Sequence, residues 1–419
     1  MALIPESAAI TESKLPKGAW LVVALLFLIG ALNYLDRIMI TTMRSSIVDA
    51  MPMSDAQFGL LTSAFLWTYG LLSPFAGFLA DKFNRSRVVI VSLLVWSVVT
   101  WLTAYSKTFE QLLVTRILMG ISEACYIPAA LALIADYHRS STRSLATGIH
   151  MTGIMIGSSL GFLGGLLAEN HTWNFVFIFF GVVGIVYSIV VALVLRDPPK
   201  NVVSTVSEKA ENKISFFVGI GDLFKNRSFL LMLGYWGLLG VVGWLVMGWL
   251  PTYYKEHFNL SQGIAGLYAT GYLYPAQIVG LLLGGFLADR WNHTYRLARI
   301  KIPAYGLCIA APCVFLASGT TILPLAIIAF MVYAVTRAFG DSNMMPMLCM
   351  VVDPRYRATG YGVLNFVSTI IGGIALYAGG VLRDSNVDLS KMYQFAALTM
   401  VICAVLLFMV RPKPKPEGE

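Results

Sequence analysis

The sequence predicts an all-α membrane protein with twelve transmembrane helices in two pseudo-symmetric six-helix bundles. Three observations predict this fold: the composition, the length of the apolar stretches and an internal repeat. Of 419 residues, 57% are hydrophobic and only 12% are charged, whereas soluble globular chains are roughly a quarter charged. The mean hydropathy is +0.73. This composition excludes a cytosolic enzyme, a disordered chain and a secreted disulfide scaffold.

The apolar stretches are close to the roughly 20 residues that a helix needs to cross the hydrocarbon core of a bilayer. The predicted spans are 18–41, 56–80, 87–106, 111–135, 144–168, 173–195, 228–251, 262–288, 301–318, 322–350, 359–382 and 391–410. The longest polar stretch between spans is rich in Lys, Glu, Ser and Pro, which is typical of a linker. We therefore predict an N-terminal bundle over 1–195, a cytoplasmic linker over 196–227 and a C-terminal bundle over 228–419.

The basic residues predict the orientation in the membrane. Cytoplasmic loops carry an excess of Lys and Arg, and 22 of the 30 basic residues fall on the side of both termini and the linker, against 5 on the other side. We expect both termini in the cytoplasm of a multi-pass plasma membrane protein, in the bacterial inner membrane. Because the basic residues are scattered in short loops, the net charge of +8 does not indicate a nucleic-acid partner.

The two halves of the sequence repeat each other. Span 2 ends with GFLADKFNR from Gly77, and span 8 ends with GFLADRWNH from Gly285, 208 residues later. Three glycines of span 5 also match three of span 11 at a constant offset of 215, namely Gly157, Gly164 and Gly165 with Gly372, Gly379 and Gly380. Several matches in register indicate duplication.

Twelve spans, the repeat, the central loop and the pattern G-x-x-x-D-[RK]-x-x-R after span 2 together resemble the major facilitator superfamily, over essentially the whole chain. The motifs NYLDR from Asn33 and RILMGISEA from Arg116 resemble two branches of it, the anion:cation symporters and the Spinster proteins. The resemblance implies the major facilitator fold, in which two halves related by an axis along the membrane normal alternate around a site near the midplane.

Charged residues inside the spans are the strongest functional signal, because a charge at the bilayer centre costs about 2.5–3.5 kcal/mol on insertion scales. Asp36 and Glu123 are the predicted proton-coupling groups. Desolvation favours the protonated form of a carboxylic acid, whereas a nearby guanidinium favours the ionised form. The balance can therefore change when a cavity opens to one side or the other. Proton coupling and mutual bracing of the bundle both remain open as roles for these residues.

Arginines inside the spans suit a different task, since they stay charged and can grip a carboxylate or phosphate with paired hydrogen bonds. We predict substrate contacts from Arg37, Arg116, Arg337, Asn33, Tyr34, Trp236, Tyr272, Tyr274, Gln277 and Asn365. For Arg337 the alternative is a simple intrahelical pair with Asp341, four residues later.

The loop signatures after spans 2 and 8 predict a gate. Asp81 can accept from backbone amides at a neighbouring helix N-terminus, and Arg85 can pair with a carboxylate across the halves. Asp289 and Arg290 are the corresponding residues of the second copy. The alternative is that the basic residues here only set the membrane topology.

These features lead us to expect a secondary active transporter that carries a small organic anion, such as a carboxylated sugar, together with protons by alternating access. Its expected partners are the anionic substrate, protons and the lipid bilayer, and we expect a monomer. A Spinster-like carrier of lysolipids or other amphiphiles and a non-transporting sensor remain alternatives. No catalytic set, metal-ligand cluster or phosphate-binding loop is evident, so we expect no enzyme activity, no metal site and no cofactor other than the coupling proton.

Overall fold

The computed structural model describes residues 15–16, 18–138, 140–197 and 216–412. All regular secondary structure in these ranges is helical. The long helices are α1 (Ala19–Thr42), α2 (Asp55–Lys82), α3 (Arg85–Thr103), α4 (Phe109–Tyr137), α5 (Thr142–Asn170), α6 (Trp173–Val194), α7 (Arg227–His257), α8 (Gln262–Asn292), α9 (Ala298–Gly319), α10 (Leu323–Val351), α11 (Arg357–Asp384) and α12 (Leu389–Met409).

Twelve long helices in the described residues correspond to the twelve predicted spans. Eleven are long and apolar enough by composition alone, and the other, α2, has 28 residues, which is about 42 Å at 1.5 Å per residue. The largest difference from the predicted boundaries is at α7, which continues through Pro251 to His257. Of the predicted linker, residues 198–215 lie outside the described residues, and Phe216–Lys225 forms a short helix.

The two halves use the same packing partners. In the first half α1 packs on α5, α2 on α4 and α3 on α6; in the second half α7 packs on α11, α8 on α10 and α9 on α12. The halves meet chiefly where α2 packs against α11 and α5 against α8. This arrangement is the duplication that the sequence repeat predicts.

A one-residue difference between the repeats has a local cause. The N-cap residues Ser54 of α2 and Ser261 of α8 are 207 positions apart, whereas Gly77 and Gly285 near the ends of the same helices are 208 apart. Helix α8 contains a π-helical segment, Leu267–Tyr272. A π-helical turn holds one more residue than an α-helical turn, so this segment absorbs the insertion without breaking the span.

Hydrogen bonds and ion pairs join the halves at one end of the bundle, which we call the clasped end. It carries the connections 43–54, 104–108, 258–261 and 385–388. Arg383 of α11 pairs with Asp55 of α2 at 2.9 Å, and the amide of Gln262 donates to the hydroxyl of Ser46 at 2.9 Å. The two halves are therefore locked together at this end.

Candidate functional site

Helices α1 and α4 bring five polar residues of the first half into one buried cluster. Asn33, Asp36 and Arg37 lie on α1, and Arg116 and Glu123 lie two turns apart on α4. All five are between 0 and 8% exposed. The two acids and two arginines balance in formal charge, so the cluster carries no net charge into the bundle.

Arg37 and Glu123 form a direct ion pair, with 3.0 Å between Nη2 and Oε2. Three aromatic rings enclose the same guanidinium: its Cζ lies 4.4 Å from the ring centre of Tyr34, 4.8 Å from Phe65 and 4.7 Å from Tyr69. Aromatic faces attract a guanidinium, most strongly away from water. The rings therefore hold Arg37 in place against Glu123.

The rest of the cluster has unused hydrogen-bonding capacity. Asp36 accepts a long hydrogen bond of 3.4 Å from the hydroxyl of Thr100. Within the described residues, Asp36 Oδ1 and Arg116 Nε and Nη2 have no hydrogen-bond partner, and Asn33 lies beside Glu123. Since buried polar atoms are nearly always satisfied, these atoms mark a place for a proton, water or a polar ligand.

A small cavity between the halves reaches this cluster. Arg37, Arg116 and Phe65 line it from the first half, and Trp244 and Leu376 line it from the second. Arg116 also lies within electrostatic reach of both Asp36 and Glu123. A ligand in this cavity would therefore contact the guanidinium of Arg116, and the charge of the ligand would act on the two acids near it.

The second half holds its charges differently. Arg337 and Asp341, one turn apart on α10, pair at 2.8 Å, and their side chains are 18% and 22% exposed. The amide of Gln277 on α8 donates to the same Asp341 oxygen at 3.2 Å. The intrahelical pair that the spacing allows is thus present, with Gln277 as an additional donor.

Four more of the predicted contact residues lie in the second half, namely Trp236, Tyr272, Tyr274 and Asn365. Trp236 donates from its indole nitrogen to Asn365 Oδ1 at 3.3 Å. Tyr274 is buried and lies within electrostatic reach of both Arg37 and Arg337, so it connects the two charge centres. Tyr272 is 42% exposed and packs against Tyr268.

Two of the predicted gating residues form ion pairs within their own halves. Arg85 pairs with Asp136 of α4. Asp289 pairs with Arg299 at 3.0 Å, and Arg290 is exposed. The side chain of Asp81 lies outside the described part of the structure.

Sequence reasoning missed Phe65, Tyr69 and Thr100. Phe65 and Tyr69 are one turn apart on α2, a spacing that in an apolar helix indicates only packing. Thr100 lies in the apolar helix α3 and carries no charge. Only the three-dimensional structure identifies these residues as neighbours of Arg37 and Asp36.

The fold and the site together define a class: a polytopic membrane carrier whose two halves enclose a cavity lined by buried charges. A sequence model of the Major Facilitator Superfamily matches residues 26–376 and 258–419. The chain belongs to that superfamily, and its fold and family are those of a transporter.

Several relatives resemble the chain over most of its length. It is 27% identical to Protein spinster homolog 1 of Xenopus tropicalis, covering 87% of this chain and 72% of that protein. It is 27% identical to an MFS-type efflux pump of Mycolicibacterium smegmatis, covering 94% and 91%. It is also 27% identical to a protein of Cupriavidus necator named "Probable sulfoacetate transporter SauU", covering 91% and 92%.

A solved structure has the same fold. It is a bacterial homologue of the human lysosomal transporter Spinster, in an inward-facing and unoccupied conformation. The TM-score is 0.76 at 23% sequence identity, with 94% of this chain and 95% of that chain covered. The likeness extends over both six-helix halves.

Proposed function

We propose that the protein is a proton-coupled symporter that imports a small organic anion by alternating access of its two halves. One observation carries the proposal: Arg116 lines the cavity between the halves, two of its nitrogen atoms have no hydrogen-bond partner in the described structure, and two buried carboxylates lie near it. Arginine at such a place suits an anionic cargo, and carboxylic acids there suit a proton.

The proton would load first on Asp36. Within the described residues its carboxyl group has one long hydrogen bond, from Thr100, and no ion pair, and it lies within electrostatic reach of Glu123. A buried, unpaired carboxylate is costly, and protonation removes the charge. Glu123 is neutralised by Arg37 in this conformation, so it would accept a proton when that pair separates.

The cargo would bind through Arg116 and then through the second half. Nε and Nη2 of Arg116 are the two donors of one edge of the guanidinium, and both lack a partner in the described structure. That edge matches a carboxylate, sulfonate or phosphate bidentately. Arg337 is the complementary group of the second half, where an arriving anion would compete with Asp341 for it.

One relative supports transport of an anion without fixing which one. The C. necator protein is named a probable sulfoacetate transporter, and sulfoacetate is a small organic anion. The excess of basic residues on one side supports a cytoplasmic position for both termini. The clasped end would then lie on the outside.

A second candidate is transport of a lysolipid or another amphiphile, favoured by the Spinster relatives. The apolar second-half wall of the cavity, with Trp244, Met247 and Leu376, would suit an acyl chain. Both candidates share the anionic head group, so they differ only in the apolar part of the cargo.

Uptake into proteoliposomes distinguishes these functions. The purified protein is reconstituted with an imposed inward proton gradient and offered sugar acids, small sulfonates and lysophospholipids, while an internal dye reports pH. We expect accumulation of a small anion with internal acidification. Accumulation of lysophospholipid alone would favour the amphiphile carrier, and binding without movement of any cargo would favour a sensor.

A further inference from the structure

The first turn of α2 is completed by a carboxylate from the other half. Ser54 and Gln57 form a capping box, in which Ser54 Oγ accepts from Gln57 N at 3.2 Å and Gln57 Oε1 accepts from Ser54 N at 2.9 Å. The amides of Asp55 and Ala56 lie between them, and the two carboxylate oxygens of Asp384 accept one bond from each, both at 2.9 Å. Asp384 therefore satisfies the two donors that the box leaves open.

The start of α8 has the same arrangement with the halves exchanged. Ser261 caps the helix by accepting from Ile264 N, and Glu169 Oε2 of the first half accepts from Gly263 N at 2.8 Å. Glu169 and Asp384 are 215 positions apart, the same offset that relates the glycines of α5 and α11. The duplication has thus placed an acid of each half on a helix N-terminus of the other.

Glycines allow the close approach that both contacts need. A Cβ atom at Gly380 would lie 2.1 Å from the carbonyl oxygen of Asp55, and one at Gly165 would lie 3.1 Å from that of Gln262. A Cβ at Gly263 would lie 2.8 Å from the carboxylate of Glu169. Gly165 and Gly380 are equivalent in the repeat, so the same device supports both contacts.

We propose that these two carboxylate–helix contacts are a reciprocal latch that holds the clasped end shut, and that both must break when this end opens. The first-turn amides of a helix have no partner within it and carry partial positive charge. A carboxylate from the opposite half stabilises them only while the halves touch. This proposal depends on the opening of the clasped end during alternating access. It does not depend on which cargo or coupling ion is carried.

The two contacts are unequal. At the α2 contact, Arg383 bridges Asp55 and Glu256, at 2.9 Å to each, and Arg44 pairs with the same two acids. The residue equivalent to Arg383 on α5 is Ala168, so the α8 contact lacks this ion-pair network. It relies instead on Gln262, whose amide joins Ser46 and the carbonyl oxygen of Gly165. The Asp384 contact is therefore the stronger half of the latch.

Electron–electron distance measurements across the clasped end test the latch. Spin labels are attached at Lys107→Cys and Lys391→Cys, two exposed positions on opposite halves, after the five native cysteines have been replaced. The full chain is studied in lipid nanodiscs. Asp384→Ala should raise the ratio of molecules with an open clasped end to molecules with a closed one roughly tenfold, which is the effect of losing a strong helix cap. Glu169→Ala should raise this ratio less.

Asp388→Ala is the matched control, since Asp388 is an exposed acid four residues from Asp384 whose side chain makes no cap hydrogen bond. It should leave the distances unchanged. If Asp384→Ala does not fold, the distances are measured in Asp384→Asn instead, because this substitution removes the charge and one acceptor oxygen. Distances in the Asp384 and Glu169 variants that match those of Asp388→Ala would overturn the proposal.

Discussion

The two halves carry equivalent arginines that are used in opposite ways. Thr115-Arg116 of α4 corresponds to Thr336-Arg337 of α10 in the repeat. Arg337 is partly exposed and paired with an acid of its own helix. Arg116 is buried, and two of its nitrogen atoms have no partner among the residues described.

The difference arises four residues after each arginine. In the second half this position is Asp341, which supplies the intrahelical partner. In the first half it is Gly120, where a Cβ atom would lie 2.2 Å from the hydroxyl of Thr68 and 2.7 Å from the carbonyl oxygen of Phe65. Close packing of α2 on α4 thus excludes a side chain there. The first half consequently has no acid one turn after Arg116, and Nε and Nη2 of Arg116 have no hydrogen-bond partner in the described structure.

The largest expected effect comes from breaking the buried pair of the first half. Arg37→Met leaves Glu123 buried without its partner, which typically costs about 3–5 kcal/mol. We expect Arg37→Met to lower the unfolding free energy by this order, measured by denaturant titration in detergent micelles. The double variant Arg37→Met with Glu123→Gln should recover part of the loss, and no recovery would contradict a direct pair.

Transport should distinguish the two equivalent arginines. Arg116→Lys keeps the charge but loses the fork that binds an anion with two parallel hydrogen bonds. We expect initial uptake in proteoliposomes to fall at least roughly tenfold, equivalent to about 1.4 kcal/mol. Arg337→Lys should cost less, because a lysine can still pair with Asp341. Equal losses would mean that the two sites share one role.

The smallest expected effect is at the second-half pair. Asp341→Asn removes a partly exposed intrahelical ion pair, and such pairs stabilise by about 0.5 kcal/mol. We expect nearly unchanged stability but tighter binding of an anionic probe, because Arg337 no longer has a competing carboxylate. Equilibrium binding of the transported anion, measured by calorimetry, checks this. Weaker binding would show that Asp341 itself contacts the cargo.

Local and repeated features were predictable from the sequence, and long-range contacts were not. Apolar length predicted the twelve spans, and the spacing of four between Arg337 and Asp341 allowed their pair. The Arg37–Glu123 pair joins residues 86 positions apart. The sequence therefore could not show which of the two acids, Glu123 or Asp36, forms an ion pair in this cluster. The pair of Arg85 with Asp136 also joins residues far apart in the sequence, so the sequence named no particular carboxylate for Arg85.

The latch at the clasped end was invisible for another reason. Asp384 and Glu169 lie at helix ends, where acids are common and usually solvated. Their partners are backbone amides, which have no sequence signature. The matching glycines Gly165 and Gly380 lie four residues before Glu169 and Asp384. Only the packing of α2 on α11 and of α5 on α8 shows that these glycines allow the two halves to approach closely.

In the proposed mechanism, the buried acids of the first half couple cargo movement to protons. Glu123→Gln in proteoliposomes tests it, with Glu110→Gln, an exposed acid of the same helix, as control. Uptake driven by an imposed pH gradient is measured beside exchange of labelled for unlabelled cargo without a gradient. We predict that Glu123→Gln abolishes gradient-driven accumulation and keeps exchange, whereas undiminished accumulation would contradict the account.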